Sequence, residues 1–132
     1  MFQKSIKNSF TLNGRGLHSG KDVKIVVHPA PANHGIFFKR TDVDHRHAYI
    51  KASFENVSKT YLRTQLTNSF GISIITAEHI LAAFAGLGIH NALIELSEAE
   101  VPILDGSSRV FVKAMLESGV VELDKKINLY EV

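Results

Sequence analysis

The sequence contains no cysteine. Disulfides and thiolate-bound metals are thereby excluded, and any metal must be held by imidazole and carboxylate groups. The same absence fits a reducing compartment, so a cytoplasmic location is expected. No run approaches the roughly 18 apolar residues that a membrane span requires, and no stable membrane insertion is expected. The opening MFQKSIKNSF scatters charged and polar residues throughout and does not read as a secretory signal. Net charge is only +2 with histidines neutral, too little to argue for nucleic acid or a charged membrane surface as partner.

What is present is ordinary for a soluble globular protein: 45% hydrophobic and 21% charged residues. At 132 residues, a single domain spanning 1–132 is expected. At that size about two-thirds of the unfolded chain's surface can be buried. Seven histidines are more than this length leads one to expect.

Along the chain, SIKNSFTLNG alternates polar and apolar residues and reads as a strand ending at Asn13-Gly14. GRGLHSG, with Gly14, Gly16 and Gly20, is a turn or flexible loop. KDVKIVVHPA and GIFFKR are further strands, TDVDHRH a polar connector, and AYIKASFENV, TYLRTQLTNS and GISII three more strand candidates. At Thr76 the period changes. Ile80, Leu81 and Phe84 recur at helical spacing, with Thr76 the expected N-cap and GLG the stop. NALIELS follows as a strand whose nearly continuous apolar content predicts burial on both faces. In EVPILDGSSRVFVKAMLESG, Asp105-Gly106 is a turn, Ser107 or Ser108 a cap, and Val110, Phe111, Ala114 and Met115 the apolar stripe of a second helix. VVEL and INLYEV are short tail strands. This order predicts an α+β fold: one mostly antiparallel sheet with two helices packed on one face.

Within SIITAEHILAAFAGLGI, Glu78 and His79 stand where strand gives way to helix. The first helical turn has unpaired N–H groups and the positive end of the macrodipole. That field favours an anionic Glu78 and a neutral His79, and a neutral imidazole is the form that binds metal. Adjacent helical positions diverge by about 100°, so the two side chains take different roles: one can ligate a metal while the other acts as a general base. The dipole also favours a first-turn glutamate for structural reasons alone. On spacing alone, that reading, with a hydrogen-bonded structural histidine beside it, is the commoner one.

Four blocks in register add to this: GRGLHSG, PAPANHGIFFKRTD, EHILAAFAGLGIHNALIEL and EVPILDGSSRVFV. Together they resemble the N-terminal domain of the zinc-dependent UDP-3-O-acyl-N-acetylglucosamine deacetylases of bacterial lipid A synthesis. The resemblance implies a fold of two similar domains, each a sheet packed against two helices, with one catalytic Zn2+ at their junction. It implies that His79 is a zinc ligand and Glu78 the general base for the water that attacks the sugar acetamide and releases acetate. It also implies that the remaining ligands, a His and an Asp four residues apart, belong to the C-terminal domain. That domain would also hold the His that protonates the leaving amine and the passage for the acyl chain. No histidine follows His90 in this sequence. The expectation is therefore that this chain alone is not a competent deacetylase.

The resemblance further points to His18 as a contact for the nucleotide-sugar lipid, with Leu62 and Arg63 at the site's rim and Thr60 on the same strand. Asp105 is expected to have a structural role near the site, accepting backbone N–H bonds at the turn and helix entrance. His28, His34, His45, His47 and His90 show no ligand-like spacing. DHRH at 44–47 reads as a solvated connector. Against the enzyme reading stands a non-catalytic module, a truncated homologue that binds a partner or dimerises. A second copy of the chain imitating the missing domain is a further possibility.

Overall fold

A computed structural model describes residues 1–53, 57–59 and 64–127. Its strands are β1 (Phe2–Ile6), β2 (Phe10–Arg15), β3 (Asp22–Pro29), β4 (Ile36–Arg40), β5 (Tyr49–Lys51), β6 (Val57–Lys59), β7 (Thr64–Thr67), β8 (Ser73–Ile75), β9 (Ala92–Leu96) and β10 (Val120–Lys126). The helices are α1 (Glu78–Leu87) and α2 (Arg109–Ser118), with a short 3-10 turn at His45–His47.

The architecture is α+β. A five-stranded sheet in the order β2-β3-β9-β4-β5 forms its centre. All its pairings are antiparallel except β4 with β9. A parallel pair needs a long crossover, and the chain between these two strands includes α1. The other strands form two smaller sheets, β6-β7-β8 and β1-β10.

The core follows from two periodicities. Val23, Ile25 and Val27 alternate inward along β3, as do Ala92, Ile94 and Leu96 along β9. α1 answers with Ile80, Ala83 and Phe84, and α2 with Phe111 and Met115. All join one buried cluster with Phe38 of β4 and Ile50 of β5. β9 is buried on one face only, for Leu93 and Glu95 keep part of their surface. Its apolar composition therefore corresponds to a central strand with one covered and one half-covered face.

The single strand expected over SIKNSFTLNG is two. Lys7 donates its N–H to the Gly119 carbonyl (2.8 Å) and Asn8 its amide to the Ser118 carbonyl (3.1 Å). These bonds to the end of α2 bend the chain between β1 and β2, so that β1 leaves the main sheet and pairs with β10. Of the two tail segments, VVEL lies in β10, whereas INLYEV beyond Ile127 is outside the described residues. No helix among the described residues is long and apolar enough to cross a membrane.

Candidate functional site at the sheet-to-helix junction

β8 delivers the chain to Thr76, which is buried and has φ 63°. A β-branched residue in the left-handed region is an outlier, costing of order 1–3 kcal/mol. The expectation that Thr76 caps the helix is not met: the N-cap position is Ala77, with no side-chain capping bond. The reason is that the Thr76 hydroxyl is used elsewhere, donating to Glu100 Oε2 at 3.0 Å.

α1 therefore opens at Glu78, with His79 its second residue. Glu78 is exposed and His79 half-buried. Neither side chain has a hydrogen bond or ion pair among the described residues. Ile80 next to them is fully buried and anchors the first turn. At the far end Gly88, with φ 68°, closes the helix by giving its N–H to the carbonyls of Ala85 and Phe84.

The glycine loop between β2 and β3 meets this junction through a strap formed by residues 97–104. Ile75 donates its N–H to the Ala99 carbonyl (2.9 Å), and Val101 donates to the Ile75 carbonyl (3.1 Å). On the other side Ile103 donates to the Arg15 carbonyl (2.8 Å). At the centre of the strap lies Glu100, 1% exposed. Its carboxylate accepts the backbone N–H groups of His18 (2.9 Å to Oε2) and Ser19 (2.9 Å to Oε1), besides the Thr76 hydroxyl. Burial pushes the Glu100 carboxyl up, but the bonds from His18, Ser19 and Thr76 together outweigh it and hold it below the usual glutamate value. The imidazole of His18 is exposed. Sequence reasoning passed over Glu100. The available signal was a lone acid opening the otherwise apolar EVPIL.

Asp105, just after the strap, accepts the N–H and the hydroxyl of Ser107 (3.0 and 2.9 Å). The Ser107 backbone N–H is the main cause that lowers the Asp105 carboxyl. Ser108 holds the N-cap position of α2 without a side-chain bond, while the Ser107 hydroxyl accepts the N–H of Arg109 (3.2 Å). Thr60, Leu62 and Arg63 lie outside the described residues.

The other histidines are engaged elsewhere. His28 bridges Ser9 and Glu95, and His90 accepts the N–H of Lys4 (3.3 Å). His34 contacts the Gly35 carbonyl. His45 and His47 lie against Tyr49 and Phe70. In the DHRH connector, Asp44 is committed to Arg46. Among the described residues no group of three or more His, Asp or Glu side chains is arranged to hold a metal. His79 fits zinc in kind, as an accessible imidazole without a competing partner, but it is one ligand where a catalytic zinc takes about three.

A family model described as UDP-3-O-acyl N-acetylglycosamine deacetylase matches residues 3–132. The chain belongs to the UDP-3-O-acyl N-acetylglycosamine deacetylase family. Among its relatives in this family is the UDP-3-O-acyl-N-acetylglucosamine deacetylase of Marinobacter nauticus, 47% identical over 120 residues. That of Xylella fastidiosa is 46% identical over 120 residues, and that of Hahella chejuensis 48% over 122. The matches cover 91–92% of this chain but only 39–40% of each relative. This deacetylase-family chain thus spans about two-fifths of the length of the curated relatives it matches.

Proposed function

We propose that residues 1–132 form the first lobe of a zinc-dependent deacetylase that removes acetate from UDP-3-O-acyl-N-acetylglucosamine in lipid A synthesis. The observation that carries this reading is the pair Glu78 and His79. They are accessible and unpartnered at the start of a helix whose next residue is locked in the core. A histidine with only a structural duty at that junction would be hydrogen-bonded, and His79 is not.

His79 would hold the zinc together with ligands from a second lobe. The bound metal supplies Lewis-acid polarisation of the acetamide carbonyl. Glu78, beside His79 on the first turn of α1, would take the proton from the attacking water as general base. His18 would contact the sugar nucleotide from the glycine loop, where it is exposed, and the substrate roles of Leu62, Arg63 and Thr60 rest on the resemblance alone. The absence of cysteine and a nucleotide-sugar substrate support a cytoplasmic site of action. The need for a companion lobe is supported by the incomplete ligand set. An apolar strip on α2, where Leu116 is 58% exposed beside Val112, supports it too. In this reading the chain alone is inactive.

The test is reassembly. The chain is mixed with a separately produced second lobe of a relative, and acetate release is assayed. Activity that appears on mixing and disappears with Glu78→Ala supports the reading. Activity that survives Glu78→Ala sinks the assignment of the base. A chain that dimerises and never yields activity on mixing favours a non-catalytic module.

A further inference from the structure

We infer that Glu100 is a positioning residue, whose buried carboxylate clamps the glycine loop to the β8–α1 junction and so fixes His18 relative to Glu78 and His79. The inference rests on the deacetylase reading, in which those three residues serve one site.

The geometry is specific to a carboxylate. Three donors from two separate elements converge on it: the N–H groups of His18 and Ser19 from the loop, and the hydroxyl of Thr76 from the junction. His18 N–H also lies 3.2 Å from Oε1, so both oxygens face the loop. An amide of the same shape would turn an NH2 group toward backbone N–H donors. An aspartate would be one methylene too short to reach both sides. The loop is built to receive the group. Gly16 is buried against it, and a Cβ at that position would overlap Oε1 and stand 2.9 Å from the Glu100 Cδ. The bonds of Ile103 to Arg15 and of Val101 to Ile75 seat the strap against both elements, so the carboxylate works from a fixed base.

The clamp also accounts for Thr76. Its left-handed backbone places the hydroxyl on Glu100 two residues before Glu78, so the strained residue serves as the junction's half of the link. Glu100 is itself 1% exposed with its oxygens engaged, which makes it a support for neighbouring groups that face solvent. Charge-assisted bonds of this kind are about twice as strong as neutral ones.

Nuclear magnetic resonance of the whole chain tests the clamp. In Glu100→Gln the amide protons of His18 and Ser19 should exchange about tenfold to a hundredfold faster. The decisive variant is Thr76→Val, which removes a hydroxyl whose hydrogen bond goes to Glu100 and not to the loop. The His18 and Ser19 amides should still shift and exchange several-fold faster, with Ile25 and Ile94 unchanged, and Thr76→Ser should restore the wild-type signals. Loop amides indifferent to Thr76→Val overturn the inference, as does a uniform loosening of loop and core together. Should Glu100→Gln fail to fold, the Thr76 pair carries the test alone.

Kinetics of the reassembled enzyme then read the consequence. Glu100→Gln should lower kcat about tenfold to a hundredfold with little change in KM, as expected for misplaced groups. A loosened loop with unchanged kcat overturns the positioning role. A wild-type assembly that shows the clamp in its spectra but releases no acetate overturns the deacetylase reading and leaves the clamp standing.

Discussion

Thr76 and Glu100 are 24 positions apart in sequence and are joined by a hydroxyl-to-carboxylate hydrogen bond of 3.0 Å. That bond, with those of His18 and Ser19 to the same acid, makes the stability of the junction depend on pH. The Glu100 carboxyl is held below its ordinary value of 4.5 in the fold. A depressed native value means that the contribution is complete above about 4.5 and is lost as pH falls through the native value. Urea melts of wild type and Glu100→Gln should differ by roughly 1.5–3 kcal/mol at neutral pH. The difference should shrink toward zero as the pH drops well below 4. A constant gap at all pH values would refute this.

Gly16 and Gly20 should respond to alanine for different reasons. At Gly16 the new methyl collides with the Glu100 carboxylate, and overpacking of that kind costs about 1–3 kcal/mol. At Gly20 there is open space but φ is 68°, so the penalty is backbone strain of about 1–2 kcal/mol. Proton exchange distinguishes them: only Gly16→Ala should release the His18 and Ser19 amides.

Glu78→Gln should be nearly silent in stability and severe in activity. The side chain is exposed and unpartnered, so folding loses at most the dipole interaction, about 0.3–1 kcal/mol. In the reassembled enzyme the loss of a general base should cost about 10²–10⁴ in kcat. Thermal melts together with acetate release measure both. A large stability loss would place Glu78 among the structural residues.

How much of this was legible in the sequence depends on the range of the interaction. The alternation of Val23, Ile25 and Val27 and the helical spacing of Ile80 and Phe84 are local, and they mark β3 and α1 directly. The deacetylase-like blocks pointed to the family that the comparisons show. Local pattern could not show that Thr76 would give its hydroxyl to a distant acid instead of capping its own helix. It could not mark Glu100 either, whose partners His18 and Ser19 lie 82 and 81 positions away. Nor could it divide the strands into three sheets, because the bend at Lys7 and Asn8 is imposed by carbonyls at the end of α2.

Asn91→Ala should be the costliest polar substitution outside the junction. The buried Asn91 amide donates to Gln3 Oε1 (3.0 Å), and its carbonyl oxygen accepts the N–H of Gly35 (2.8 Å). Removal leaves the Gly35 N–H without a mate, at about 1–3 kcal/mol, and takes one of two donors from Gln3 Oε1, which keeps the Asn33 N–H (2.8 Å). Chemical denaturation should show a loss of about 1–3 kcal/mol. A neutral result would mean that water replaces the amide.

The pairing of β1 with β10 has a consequence during biosynthesis. β1 leaves the ribosome well before its partner strand, since Ile6 pairs with Val120. At translation rates of about 5–20 residues per second, β1 waits on the order of ten seconds with an open edge. Throughout that interval the nascent polypeptide offers an unsatisfied backbone ribbon to chaperones or to neighbouring chains. Arrival of Val120–Lys126 fastens the lobe shut.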